Sequence, residues 1–229
     1  MSDLHVLYCD NHLLAVVKPA CLPTVPDESG DESLLERAKA WVREEYAKPG
    51  EAYLGVVHRL DRPVSGVVLF ARTSKAAARL TEQFRNRSTE KTYFAIACGW
   101  ADPPQGLLEQ WLEKSEARRR VEVRRPEAAG AKRALTRWAT RQRWQREGAR
   151  WSLVELEPQT GRSHQLRVAM ATLGAPLRGD LKYGAPEALP DKSIALHARK
   201  LVVEHPTRRE AMTFECDPPA REWWEVPDP

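Results

Sequence analysis

Residues 56–72, VVHRLDRPVSGVVLFAR, set His58, Arg59, Asp61 and Arg62 between two apolar runs. The runs Gly55-Val56-Val57 and Val67-Val68-Leu69-Phe70-Ala71 are rich in β-branched residues and predict buried strands. Charge between two core strands is costly unless it is paired. Asp61 is the only acid there, and it stands where the chain must turn, with Pro63 and Gly66 close behind. A carboxylate so placed can act as a nucleophile, as a general acid or base, or as a metal ligand. The plainer alternative is a turn aspartate that caps its own backbone.

Arg162 is the second candidate. It lies in QTGRSHQLR (residues 159–167), ahead of a segment whose pattern predicts a helix over 162–173. Arg162, Gln165 and His164 then fall near a helix start, where a carboxylate meets a cation and unpaired backbone N–H groups. An arginine partner favours the charged form of an aspartate. Other chemistries fit poorly. His58, His164, His197 and Asp61 match no local metal pattern such as HExxH, so no metal is expected. Ser65, in Pro63-Val64-Ser65-Gly66-Val67, lacks the first glycine of a GxSxG elbow. Neither GxGxxG nor GxxxxGK[ST] occurs, and no nucleotide cofactor is expected.

The elements that must position these residues are mostly strands. Residues 4–8 and 13–17 predict two short strands joined by turn chemistry at Asp10-Asn11, and residues 18–27 (KPACLPTVPD) an ordered loop. Residues 33–47 show helical spacing with Ser33 as N-cap, and residues 74–87 predict a second amphipathic helix. Residues 91–98 predict a strand. In 135–144, Trp138, Thr140, Gln142 and Trp144 alternate with Arg137, Ala139, Arg141 and Arg143, which is period two. A turn at Glu147-Gly148 and a strand over 151–157 would complete a hairpin with Arg137, Arg141 and Arg143 lining one face. Two further strands are predicted near 195–204 and 210–216. Strands outnumber helices without strict alternation, which predicts an α+β fold with a mixed, mainly antiparallel sheet.

Composition bounds the partners. The 229 residues carry a net charge of +4, but residues 114–150 hold 13 Lys or Arg against four Glu, +9, leaving −5 elsewhere. Such asymmetry points to a polyanion. No apolar run of about 18 residues occurs, so no membrane span is expected, and the N-terminus does not read as a secretory signal. Cys9, Cys21, Cys98 and Cys216 form no CxxC pair, which suits free thiols in a reducing cytoplasm. The pair Trp223-Trp224 is expected to pack in the core or against the tail.

The motifs resemble a known family. HRLDRPVSG is similar to the HRLDxxTSG signature of the RluA-type RNA pseudouridine synthases. KPACLP at 18–23, KTYFA at 91–95, GRSHQLRV at 161–168, GAPL at 174–177 with GDLKYG at 179–184, and LHA at 196–198 with His205-Pro206 resemble that family's further blocks, in family order over nearly the whole chain. The resemblance implies a pseudouridine synthase fold: a central mixed sheet flanked by helices with an RNA-binding cleft, here as one catalytic domain over 1–229 without the accessory N-terminal RNA-binding domain. It implies isomerisation of uridine in RNA, without cofactor or metal. Asp61 falls on the catalytic aspartate, Tyr93 on the tyrosine that stacks on the target base, and Arg162 on the arginine that pairs with the aspartate. Arg59 falls on the arginine that fills the space left by the flipped nucleotide, and Leu196 on the lining of the base pocket. His58, Arg62, Gln165, Arg137, Arg141 and Arg143 complete the expected substrate-binding set.

Physical chemistry supports these roles. A stacked base hides its reacting atoms, so the nucleotide must be extruded at a cost of a few kcal/mol. Base–aromatic stacking returns about 1–3 kcal/mol. Sequence-selective proteins read RNA mainly in loops, so a stem-loop of tRNA or rRNA is the expected substrate. A monomer without an obligate protein partner is expected. The sequence departs from the family pattern at Cys21 (usually Gly), Val64 and Ser163 (usually Thr) and Ala169 (usually His). These departures motivate one rival, an inactive RNA-binding protein of the same fold; a metal-dependent nuclease using Asp61 is the other.

Overall fold

A computed structural model describes residues 4–47, 49–115, 117–118 and 120–228. The first elements are β1 (Val6–Cys9), β2 (Leu13–Lys18), α1 (Leu34–Glu45), β3 (Gly55–Val56), β4 (Ser65–Ala71) and α2 (Ser74–Asn86). There follow β5 (Glu90–Cys98), β6 (Gln105–Ser115), β7 (Arg120–Arg124), β8 (Lys132–Arg146) and β9 (Ala149–Pro158). The chain closes with α3 (Gln165–Thr172), β10 (Leu196–Glu204) and β11 (Ala211–Glu215). The class is α+β with a mixed sheet, in which β1–β2, β2–β4, β3–β4, β5–β9, β6–β7, β6–β8, β8–β9 and β10–β11 pair antiparallel. The chain divides into two compact units, Met1–Lys91 with Ala198–Asp217, and Thr92–His197 with Pro218–Pro229.

The first unit is built on β4, whose seven residues are all buried. β2 pairs along its whole length, from Leu13 opposite Ala71 to Lys18 opposite Gly66. β3 pairs for only two residues, Gly55 with Ala71 and Val56 with Phe70. The apolar run at 55–57 is therefore not the buried strand its composition predicts: Val56 is 40% exposed, because two paired residues at a sheet edge have little to pack against. The helix predicted at 33–47 forms as α1, with a reciprocal Ser33–Glu36 capping box. α2 begins under the Thr73 cap, and its Ala76 and Leu80 pack on Leu13, Val67 and Leu69.

Where the HRLD segment enters β4, Gly66 takes φ +124°, and a Cβ there would lie 2.4 Å from the Ala198 carbonyl oxygen. Only glycine fits that approach. Cys21 holds φ +65°, a left-handed conformation that strains a side-chain-bearing residue and suits the glycine usual in the family at that position.

The second unit orders its strands β5-β9-β8-β6-β7. β6 and β7, at 105–115 and 120–124, are not anticipated from sequence; their apolar alternation is diluted by Glu109, Glu113 and Arg124. The β8–β9 hairpin turns at Glu147 and Gly148, both with positive φ, as predicted. Trp223 and Trp224 pack against the cluster of Ile96, Leu189 and Ala195. Among the described residues no helix is long and apolar enough to cross a membrane.

Candidate active site

The HRLD turn in the first unit is held from three sides. Thr24, from the proline-rich loop, is 4% exposed. Its Oγ1 donates to the Leu60 carbonyl at 2.9 Å and accepts from the Leu60 N–H at 3.2 Å. His58 Nε2 accepts the Leu69 N–H of β4 at 2.9 Å, and the ring stacks on Phe84 at 4.8 Å. An accepting Nε2 needs a neutral ring. Burial, with a smaller contribution from the Lys91 charge, pushes the His58 pKa down to about 4. On the third side, the fully buried Lys18 donates from Nζ to the carbonyls of Pro19 (3.0 Å), Leu22 (2.7 Å) and Arg62 (3.0 Å). The Asp61 carbonyl accepts from Val64 N–H at 3.0 Å and closes the turn.

These contacts redistribute the predicted roles. Asp61 is partly buried, with pinned backbone on both sides. Arg59 is exposed, with no hydrogen bond or ion pair among the described residues, and can reach a substrate. His58, expected to bind substrate, instead spends its ring on the turn. Arg62, expected likewise, is tied to Ser29 at 2.9 Å and forms ion pairs with Asp31 and, at 3.7 Å, Asp27. Val64 is 2% exposed, so the departure from Thr falls at a packing position where a methyl replaces a hydroxyl without leaving a polar atom to satisfy.

In the second unit Tyr93 is partly buried on β5, opposite Leu156 of β9. The helix predicted from residue 162 starts three residues later. His164 takes φ +52°, so Arg162, Ser163 and His164 form the turn before α3. Arg162 Nε donates to the Arg133 carbonyl at 3.0 Å. Gln165, 4% exposed and expected to bind substrate, organises this turn instead. Its Oε1 accepts from Thr160 Oγ1 (2.6 Å) and Arg162 N–H (3.1 Å), and its Nε2 donates to the Leu135 carbonyl and Thr136 Oγ1, both at 2.9 Å. Leu196 is 3% exposed at the start of β10.

Two further residues of this unit carry no prior expectation. Arg167 and Asp180 form a buried bidentate pair at 2.7 and 2.8 Å. The spacing of such partners, 13 residues apart, gives no local signal in the sequence.

The arginines of β8 do not share one face. Arg137 lies opposite Glu157 and Thr140 opposite Val154, but Gln142 lies opposite Leu153, leaving Arg141 as an extra residue in a bulge. Beyond it the facing flips: Arg143 stands opposite Ser152, on the side of Val154, whereas Arg137 shares the side of Glu157. A one-residue slip has that consequence in any sheet. The charges are also partly matched. Arg141 grips Glu155 at 2.7 and 3.2 Å, Arg137 lies 3.6 Å from Glu157, and Arg143 packs over Trp100 at 5.6 Å. Glu109 and Glu113, just before the basic segment, pair with Arg133 and Arg124. With those four acids counted, residues 109–157 carry +5 rather than the +9 of 114–150.

Comparison with known proteins agrees with this geometry. The profile of the RNA pseudouridylate synthase family matches residues 12–172. An uncharacterised RNA pseudouridine synthase of Bacillus subtilis, YhcT, is 36% identical over 220 residues, covering 96% of this chain and 70% of its own. The dual-specificity RNA pseudouridine synthase RluA of Haemophilus influenzae is 34% identical over 219 residues, covering 93% of this chain and 92% of its own. The solved structure of human RNA pseudouridylate synthase domain containing 4 superimposes with a TM-score of 0.77 at 25% identity, covering 94% of this chain and 89% of that one.

Proposed function

The chain belongs to the RNA pseudouridylate synthase family and is an isomerase of RNA uridine, and on that premise we propose that Asp61 is the acting residue and a stem-loop of tRNA or rRNA the substrate. The reaction is an internal rearrangement. The N1–C1′ bond of uridine breaks, the base turns, a C5–C1′ bond forms, and the proton lost from C5 is balanced by one gained at N1. Nothing is oxidised or reduced. A carboxylate can serve both the ribose and the pyrimidine ring in such a sequence.

The observation that carries this reading is the pinned HRLD turn, with Asp61 between two anchored residues and Arg59 exposed. On this reading, which follows the family motifs, Arg59 fills the gap left by an extruded base, Tyr93 stacks on that base, and Arg162 serves as the catalytic cation. The RluA relatives bear the name dual-specificity, which favours more than one target RNA. The basic hairpin supplies phosphate contacts, so binding weakens with salt.

The test is pseudouridine mapping of tRNA and rRNA from cells with and without the protein, complemented by the wild type or by Asp61→Asn. Defined uridines lose the modification without the protein and regain it only with the wild type. Full restoration by Asp61→Asn would remove Asp61 from the chemistry.

A further inference from the structure

Lys18 is fully buried at the end of β2, and its ammonium has three N–H donors and no acceptor. Three carbonyl oxygens meet it at 2.7–3.0 Å, from Pro19, Leu22 and Arg62. The match leaves no donor over. A neutral amine has one donor fewer and would turn its lone pair toward a carbonyl. Pro19 and Leu22 belong to the proline-rich loop, whereas Arg62 is the residue after Asp61.

We propose that Lys18 is a positioning residue for the isomerisation: its ammonium fixes the backbone that carries Asp61 and supplies the buried positive charge that supports the acting carboxylate. The proposal rests on the reading of Asp61 given above.

Three charged or titratable groups act on Lys18. Asp61 and Cys21 favour its cation, and Arg62 opposes it. Burial is the largest influence and brings the Lys18 pKa down from the ordinary lysine range to about 7. The protonated form therefore dominates below about pH 7 and declines as pH rises above it. A purely structural lysine would give no pH dependence in the rate constant at constant fold.

The experiment measures single-turnover pseudouridine formation, with protein in excess over a responsive RNA, from about pH 6 to 8.5 for wild type, Lys18→Met and Lys18→Gln. RNA affinity and the folded fraction are measured alongside. With the rate following the protonated fraction, wild type is expected to slow by about 30-fold across the range. Both variants are expected to lose about 100-fold or more in rate at low pH, with RNA affinity within about threefold of wild type and no remaining decline at high pH.

Folded variants as active as wild type would overturn the role of Lys18, as would variants that keep the wild-type pH decline, or losses that follow only the unfolded fraction or the affinity. A wild-type protein that modifies no RNA is a different result, overturning the function on which the role depends.

Discussion

The HRLD turn and the β8–β9 hairpin both concentrate charge, yet they are built in opposite ways. In the turn, backbone groups on either side of Asp61 are tied by side chains that are themselves buried: Thr24 at Leu60 and Lys18 at Arg62. In the hairpin, Arg137 and Arg141 are exposed and held by cross-strand ion pairs that water can replace. Exposed pairs of that kind contribute about 0–1 kcal/mol each. The contrast matches the roles proposed for the two regions. Chemistry at a uridine requires placement to a fraction of an ångström. Attraction of a phosphate backbone requires positive charge, in almost any arrangement.

If the turn is the precise region, breaking its anchors costs most. Thr24→Val removes the partner of both the N–H and the C=O of Leu60. The expected loss of stability is roughly 2–4 kcal/mol in urea unfolding, and the folded protein should lose about tenfold or more in single-turnover rate with RNA affinity retained. Unchanged rate in folded Thr24→Val would show that the loop does not position Asp61.

Acid sharpens the comparison next. The folded pKa of His58, about 4, lies below the ordinary 6.5, so the unfolded chain takes up its proton first. The stability that His58 contributes is complete above about pH 6.5 and is lost as pH falls toward 4. Wild type should therefore lose about 2–3 kcal/mol relative to His58→Gln between pH 7 and 4.5, measured by paired unfolding curves. A parallel decline in both proteins would assign acid lability elsewhere.

The smallest effects belong to the hairpin. Arg137→Gln, Arg141→Gln and Arg143→Gln should each change stability by less than about 0.5 kcal/mol. Each should reduce the salt dependence of RNA binding by less than about one unit of slope. Because the bulge at Arg141 separates the faces, Arg137→Gln and Arg141→Gln should resemble each other and differ from Arg143→Gln. Equal effects at all three positions would mean that the RNA contacts both faces of the hairpin.

The same contrast governs what the sequence disclosed. Most strands other than β6 and β7, both N-terminal helices and the Glu147-Gly148 turn were legible because period, caps and turn residues are local signals. Asp61 stood out as a candidate because a lone acid between apolar runs conflicts with its surroundings. The bulge at Arg141 was not, since an alternating sequence reads the same whether or not a register shift interrupts it. The structural roles of His58, Arg62 and Gln165 were also hidden, because their partners Leu69, Asp31 and Leu135 lie 11, 31 and 30 residues away. The acids that match the basic segment lay just beyond its boundaries in sequence, and only strand pairing brings them beside the arginines.

The most direct measurement is a single-turnover assay of Asp61→Asn beside the Arg137→Gln, Arg141→Gln double variant, on the same RNA at saturating protein. Asp61→Asn should form no detectable pseudouridine while binding the RNA as wild type does, and the double variant should react at close to the wild-type rate. Near-normal turnover by folded Asp61→Asn would contradict the assignment of the chemistry to the pinned turn.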